Sequence, residues 1–169
     1  MKRLALALLV GCGSSTSGST TNDNASDAGA CVADLVAPGG ACPSQCTSCD
    51  GNVCKIDCAS GACNDTTIDC PDGFNCEITC SGLDSCDTTV VHCPAKYACA
   101  MKCTSYDSCG DVVQHCGLGA CTMECNGPTE ACGGSTIDCA PGGACATTCK
   151  NGSHGASLDC RGACSCTPC

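Results

Sequence analysis

The sequence predicts an all-β protein, and more specifically a small parallel β-solenoid of about five 23-residue coils that is braced by disulfide bonds. The 169 residues include 27 cysteines but only one Phe, two Tyr and no Trp, so large apolar side chains are too few to fill an ordinary core. The cysteines recur with a nearly fixed period, which is typical of a solenoid. Between them, polar and apolar residues alternate, as in a strand with one buried face.

The chain opens with a targeting segment over residues 1–11. Lys2 and Arg3 precede an apolar run that ends at Cys12, which is the order of a signal peptide, and the run is shorter than the roughly 20 residues that span a bilayer. Residues 9–12, Leu-Val-Gly-Cys, resemble a bacterial lipobox. This resemblance implies cleavage before Cys12, a diacylglycerol on its sulfur and an acylated amino terminus. Because glycine rather than aspartate follows Cys12, it also implies the outer membrane.

The next segment, residues 13–30, contains only Gly, Ser, Thr, Asn, Asp and Ala. Such a segment buries no apolar surface and is expected to stay disordered, so residues 12–30 form a lipidated linker. Treated as a flexible coil, the linker has an r.m.s. reach of about 25 Å. The expected arrangement is a folded body tethered to the cell envelope, with the membrane as its partner through the lipid anchor.

Four cysteines recur in each coil with the spacing Cys-x5-Cys-x3-Cys-x5-Cys-x6, and we label them a, b, c and d. The a cysteines are Cys70, Cys93, Cys116, Cys139 and Cys160; the b cysteines are Cys54, Cys76, Cys99, Cys121 and Cys145; the c cysteines are Cys58, Cys80, Cys103, Cys125 and Cys149; the d cysteines are Cys63, Cys86, Cys109 and Cys132. The repeat covers residues 54–160. The cysteine-rich segments 31–53 and 161–169 are expected to cap its two ends.

Each coil contains two short predicted strands. One lies between b and c, as in Cys76-Glu-Ile-Thr-Cys80, and the other runs into a. If coils stack at about 4.8 Å per rung, the inward side chains form two columns: Ile56, Ile78, Met101, Met123 and Thr147 in the first, and Ile68, Val91, Gln114, Ile137 and Leu158 in the second. Gln114 alone interrupts the second column.

From Cys54 to Cys160 the repeat resembles that of cysteine-rich repeat lipoproteins of Gram-negative bacteria and, more loosely, of the disulfide-braced β-helical antifreeze proteins of insects. The resemblance implies the architecture and says almost nothing about activity. An ice-binding face would need threonines in regular outward pairs, whereas the corresponding positions are Thr67, Val90, Val113 and Thr136.

The disulfide pattern follows in part from parity. Setting Cys12 aside leaves 26 cysteines, an even number. Suppose that all 26 form bridges within the chain. Because 11 of them lie between Cys31 and Cys86 and each later coil adds four, an odd number of bridges must then cross every boundary between d and the next a. We therefore expect successive coils to be joined covalently.

One regular scheme pairs b with a of the next coil and c with d of the same coil. It predicts Cys54–Cys70, Cys76–Cys93, Cys99–Cys116, Cys121–Cys139 and Cys145–Cys160, and also Cys58–Cys63, Cys80–Cys86, Cys103–Cys109 and Cys125–Cys132.

Composition restricts the functions that are compatible with the chain. Loss of Lys2 and Arg3 with the signal leaves five basic against 17 acidic residues, which disfavours nucleic acid as a partner. The loops are short and show no Ser-His-Asp order or phosphate-binding loop, so we predict that the protein is not an enzyme and needs no cofactor. We expect a cell-envelope lipoprotein that acts as a structural, adhesive or ligand-presenting surface module for an unidentified protein or glycan.

The alternative function is metal binding or sequestration at the cell surface. A thiolate cluster would require free cysteines, which an oxidising compartment disfavours. Outward residues that precede the a cysteines form a second candidate, the column Asp69, His92, His115, Asp138 and Asp159, in which His92 and His115 could share a metal ion. The acidic column Asp84, Asp107 and Glu130 could hold calcium or simply favour solubility.

Overall fold

The computed structural model describes residues 30–169, and in this range it contains twelve β-strands. Residues 1–29, and with them the predicted signal peptide, Cys12 and nearly all of the linker, lie outside the described residues. The strands are β1 (Ser48–Asp50), β2 (Val53–Cys58), β3 (Thr67–Asp69), β4 (Asn75–Cys80), β5 (Val90–His92), β6 (Cys99–Cys103), β7 (Val113–His115), β8 (Cys121–Cys125), β9 (Thr136–Asp138), β10 (Ala144–Cys149), β11 (Ser157–Asp159) and β12 (Ser165–Thr167). Nothing within residues 30–169 forms a helix long and apolar enough to cross a membrane.

The strands form two sheets that wind into the predicted solenoid of about five turns. The long sheet has the order β1-β2-β4-β6-β8-β10-β12, and the short sheet has the order β11-β9-β7-β5-β3. All pairs are parallel except β1 with β2. Cys76 lies opposite Cys54 on one side and Cys99 on the other, so equivalent cysteines stack directly from rung to rung.

The two ends of the long sheet differ. At the first coil, β1 pairs antiparallel with β2 and covers its edge. At the last coil, the segment 161–169 contributes β12, which adds another parallel rung beside β10. The carboxyl-terminal segment therefore extends the parallel sheet by one strand.

The two predicted columns form the interior. Ile78, Met101 and Met123 of the first column and Val91 and Ile137 of the second are fully buried. A third column, which the repeat pattern did not predict, lies where the d turn meets the short sheet and consists of the buried residues Thr89, Val112, Ser135 and Ala156. Its hydroxyls donate to carbonyls of the preceding coil: Thr89 Oγ1 donates to the carbonyl of Cys63 at 2.5 Å, and Ser135 Oγ donates to that of Cys109.

The turns that contain d also stack in register. The amide of Cys63 donates to the carbonyl of Ser85 at 2.9 Å, and that of Cys86 donates to Ser108 at 2.9 Å, so the ladder between coils continues outside the sheets. Two positions of this turn have positive φ in successive coils. The first is occupied by Gly61, Asp84 and Asp107, and the second by Asp65, Thr88, Asp111 and Gly134.

The c-to-d bridges of the predicted scheme are present. They are Cys58–Cys63, Cys80–Cys86, Cys103–Cys109 and Cys125–Cys132. In each of them the two Cα atoms lie 5.6 to 5.9 Å apart, which is within the range for a bridge. Each bridge closes the turn between the long and the short sheet within one coil.

The predicted pairing of b with a of the next coil is wrong. Instead of Cys54–Cys70, Cys76–Cys93, Cys99–Cys116, Cys121–Cys139 and Cys145–Cys160, the structure contains Cys46–Cys54, Cys70–Cys76, Cys93–Cys99, Cys116–Cys121, Cys139–Cys145 and Cys160–Cys166. The reason is local: a and the b that follows it flank one short turn, and this turn brings their Cα atoms to between 5.4 and 6.1 Å. These bridges lie within coils and do not join successive coils.

A single long-range bridge satisfies the parity condition. Cys31 pairs with Cys164, 133 residues away, and this bridge crosses every boundary between d and the next a. The expectation that each coil is joined covalently to the next is therefore wrong. The Cys31–Cys164 bridge also joins the two terminal segments to each other, and the remaining terminal bridges are Cys42–Cys49 and Cys149–Cys169.

The residues after Cys31 run back along the solenoid, and we call residues 31–40 the strap. The Val32 amide donates to the Gly142 carbonyl of the last coils at 3.5 Å, and Asp34 Oδ1 accepts from the Ala120 amide at 3.3 Å. Farther along, the Ala37 carbonyl accepts from Asn52 Nδ2 at 3.1 Å and the Gly39 amide donates to Gly73 at 2.9 Å. The strap thus begins at the last coil and ends at the first.

Candidate functional site

The outer face of the short sheet carries the column of titratable side chains that the repeat predicts. Each strand of this sheet has three residues, and its middle residue points inward in β3, β5, β7 and β9 while the last residue is at least partly exposed. The parallel register places these last residues side by side in the order Asp69, His92, His115, Asp138 and Asp159. Two imidazoles therefore lie on adjacent rungs with a carboxylate on each side.

Hydrogen bonds fix which ring nitrogen carries the proton. His92 Nδ1 lies 2.7 Å from Asp69 Oδ1, and His115 Nδ1 lies 3.1 Å from Asp138 Oδ2. Because an ionised carboxylate can only accept, each Nδ1 is the donor. In the neutral imidazole this leaves the lone pair on Nε2. The two ring centroids are 5.5 Å apart and the ring planes are tilted by 31°.

Arg161 closes the column at the end of the last coil. Its Nε donates to Asp159 Oδ1 at 2.9 Å, and its Nη2 lies 2.6 Å from Asp159 Oδ2 and 3.8 Å from Asp138 Oδ1. The hydrogen bond with Asp159, followed by the charges of Asp159 and Asp138, raises the pKa of Arg161. Asp159 is therefore neutralised by Arg161, whereas Asp69 and Asp138 bond the two histidines.

The described cysteines offer no thiolate. All 26 of them form disulfides. Sulfurs of neighbouring bridges come close, for example Cys93 Sγ to Cys121 Sγ and Cys116 Sγ to Cys145 Sγ, both at 3.9 Å. This closeness comes from the stacking of bridges, so the residues that remain able to ligate a metal are the histidines and carboxylates.

The acidic column has a conformational reason. Asp84 and Asp107 adopt φ values of 51° and 52°, and aspartate is one of the few residues that tolerates this left-handed conformation. Partial burial, followed by the charges of Asp87, Asp84, Glu130 and Asp111, raises the pKa of Asp107. Backbone geometry thus explains Asp84 and Asp107 but not Glu130, whose φ is not positive, and mutual repulsion accompanies the column.

A small open cavity lies between neighbouring turns that contain the a cysteines. It has a volume of about 260 Å³ and is lined by Asp72, Gly73, Ala95, Lys96 and Tyr97. Ligand pockets usually measure about 300–1,000 Å³ and are mostly apolar. The cavity is smaller than that range and contains one aromatic ring, so it does not define a ligand.

No family model, no curated protein and no solved structure matches this chain. Of the predicted site residues, Cys12 lies outside the described residues, and His92 and His115 lie together as the repeat indicated. The role of Arg161 was missed, because it lies two residues beyond the last member of the column and outside the repeat.

Proposed function

We propose that this protein is a cell-envelope lipoprotein, anchored through Cys12, whose solenoid is a structural, adhesive or ligand-presenting rod. The observation that carries the proposal is the Cys31–Cys164 bridge, which attaches the amino-terminal end of the described chain to the last coil. With the strap running back from that bridge to the first coil, a tether ahead of Cys31 leaves from one end of the rod. The first coil and the cap around β1 then point away from the membrane.

The construction of the rod supports a presenting role. Seven stacked strands at about 4.8 Å per rung give a length of about 30 Å. Each coil is closed by its own bridges, and the interior columns are continuous from coil to coil. Rigid scaffolds favour recognition because little freedom is lost on binding.

The outer face of the long sheet offers a surface of mixed charge. Its side chains alternate with the buried cysteines and include ion pairs between neighbouring coils. Lys102 Nζ donates to Glu77 Oε1 at 2.6 Å, and Lys150 Nζ donates to Glu124 Oε1 at 2.7 Å. Polar protein or glycan surfaces are the partners that such a face suits, and the acidic balance of the chain continues to disfavour nucleic acid.

Anchoring is tested by metabolic labelling. The full chain is produced in a Gram-negative host fed with an alkyne fatty acid, and Cys12→Ala serves as the comparison. We expect label and outer-membrane fractionation for the natural chain and loss of label for Cys12→Ala. Equal labelling of the two chains, or none in either, would contradict the proposal.

Orientation is tested separately by a matched pair of labels. Ser48 on β1 and Ser165 on β12 are both exposed and lie at opposite ends of the long sheet. Each is replaced in turn by a fluorescent amino acid, and the lipidated protein is inserted in vesicles that contain an acceptor lipid. We expect stronger energy transfer from position 165 than from position 48. Equal transfer, or the reverse order, would contradict this orientation even if the anchor is confirmed.

A further inference from the structure

We propose that His92 and His115 form a binding site for one borderline divalent transition-metal ion, such as Zn²⁺ or Cu²⁺, through their Nε2 atoms. The site lies on the outer face of the short sheet, on strands β5 and β7. It does not depend on the lipid anchor or on the orientation of the rod. Its support comes from the geometry of the two rings, from their hydrogen bonds and from the charge around them.

The two imidazole rings lie close enough to share one ion. Parallel pairing places the two histidines directly opposite each other, and the centroids lie 5.5 Å apart. Metal–nitrogen bonds of about 2.0–2.1 Å allow one ion to join two nitrogens that are up to about 4 Å apart. Both side chains are about half exposed, so they have room for the rotation that sharing one ion requires.

The hydrogen bonds of the two Nδ1 atoms also suit a metal site. Histidines that ligate metals usually donate the other ring N–H to a carboxylate or carbonyl, which orients the ring and raises its basicity. Here Asp69 and Asp138 accept from the two Nδ1 atoms. In the neutral rings these bonds leave the Nε2 lone pairs available to a metal ion.

The charges and side chains around the two histidines also bear on metal binding. Asp69 and Asp138 place two negative charges beside the imidazoles. The cation beside Asp138 is Arg161, which lies 3.8 Å from Asp138 and bonds primarily to Asp159. The other outward residues of β5 and β7 are Val90 and Val113, which supply no further ligand atom. Within the described residues no third histidine or carboxylate joins the pair at coordination distance. The remaining positions on the ion are open to water or to a group from another molecule.

The test uses the purified, oxidised full chain with Cys12 replaced by serine, so that no thiol outside the solenoid competes for the metal. Zn²⁺ is titrated calorimetrically, and Cu²⁺ is added for electron paramagnetic resonance. We expect one ion per chain and a Cu²⁺ spectrum with coupling to two imidazole nitrogens. His92→Asn and His115→Asn should each weaken binding more than Asp69→Asn or Asp138→Asn, for which a loss of about 10- to 100-fold is expected.

The third histidine provides the matched control. His154 lies in an exposed turn far along the chain from the pair, and His154→Asn should leave affinity and spectrum unchanged. Circular dichroism of each variant checks that the solenoid is intact. Absence of binding, equal affinity of the His92→Asn, His115→Asn and unsubstituted chains, or a loss caused by His154→Asn would overturn the proposal.

Discussion

Gln114 is the residue at which the interior departs from its own pattern. It lies between Val91 and Ile137 in the second column and is fully buried. Its Nε2 is 3.5 Å from the sulfurs of Cys93 and Cys99, and its Oε1 has no hydrogen-bond partner. Sulfur is a weak acceptor, and an unsatisfied buried polar atom costs about 1–3 kcal/mol. The amide therefore weakens the core at the centre of the rod.

Gln114→Met should stabilise the fold. Methionine has a similar unbranched shape and no polar atom to satisfy, so we expect the free energy of unfolding to rise by about 1 kcal/mol. The measurement is the guanidinium midpoint of the oxidised protein. Ile137→Gln, which introduces the same amide one rung farther on, should lower the midpoint. A lower midpoint for Gln114→Met would show that the amide is satisfied.

Asp107→Asn should stabilise the fold in a pH-dependent way. Burial, then the neighbouring charges of Asp87, Asp84, Glu130 and Asp111, raises the pKa of Asp107 above 3.8. The folded state thus binds this proton more tightly than the unfolded state, so the ionised carboxylate destabilises the fold above its folded pKa, and the cost disappears as pH falls toward 3.8.

We expect a gain of up to about 0.5 kcal/mol at pH 7, as is usual for a partly exposed site, and a shrinking gain toward pH 4. Guanidinium midpoints over this pH range provide the measurement. Asp65→Asn is the control, because Asp65 has a similar left-handed backbone but is exposed in the first coil. A gain that is independent of pH would indicate a backbone effect.

At the scale of the element, the strands were predictable and the bridges only in part. Polar and apolar residues alternate between the b and c cysteines, and this pattern predicts the strands of the long sheet because one face of each strand must be buried. The c-to-d bridges follow because c and d flank one short turn. The a-to-b bridges have the same local geometry, but the odd number of cysteines before each boundary suggested bridges between coils. The one bridge that makes the number crossing each boundary odd starts in the strap. The strap has no repeat pattern, and its contacts include residues about 85 to 130 positions away in the sequence.

The left-handed turn position offers an element-scale prediction. Thr88 is the β-branched member of a column otherwise occupied by Asp65, Asp111 and Gly134, and its φ is 53°. Left-handed backbone costs a β-branched residue about 1–2 kcal/mol, and asparagine tolerates it better. Thr88→Asn should therefore raise the free energy of unfolding by about 0.5–1 kcal/mol, with part of the gain offset by the lost hydroxyl bond to the Asp87 carbonyl at 2.8 Å.

The guanidinium midpoint is again the measurement for Thr88→Asn. Asp111→Asn, at the equivalent position of the next coil, exchanges two residues that both tolerate left-handed backbone and should change the midpoint little. If both variants shift it equally, conformational strain at Thr88 is not the cause.

At the scale of the whole molecule, the Cys31–Cys164 bridge differs from all others in the described chain. Most bridges span five to eight residues and stabilise single turns, while this one spans 133. In the chain-entropy description, closing a long loop restricts the unfolded state much more than closing a short one. The cooperativity of the rod should therefore depend strongly on this one bond.

Removal of that bridge gives the corresponding prediction. Cys31→Ser with Cys164→Ser should lower the free energy of unfolding by about 5 kcal/mol, whereas Cys70→Ser with Cys76→Ser should lower it by about 2 kcal/mol. Guanidinium unfolding gives the totals, and hydrogen exchange shows where protection is lost. We expect the first pair of substitutions to expose the strap and both ends together. Equal losses for the two pairs would contradict the role assigned to the long bridge.

The strap also determines how the molecule responds to mechanical tension. From Cys31 the covalent chain reaches any coil by two routes, one through the strap and the first coil and one through Cys164 and the last coil. A pull that enters at Ala30 and is resisted by a ligand on one coil is therefore divided between two arms of a closed ring. The extension is limited by the shorter arm, so the longer arm cannot be drawn out to its full contour length while the bridge holds. The rod should extend under load far less than a chain of its length that is fixed at one end only.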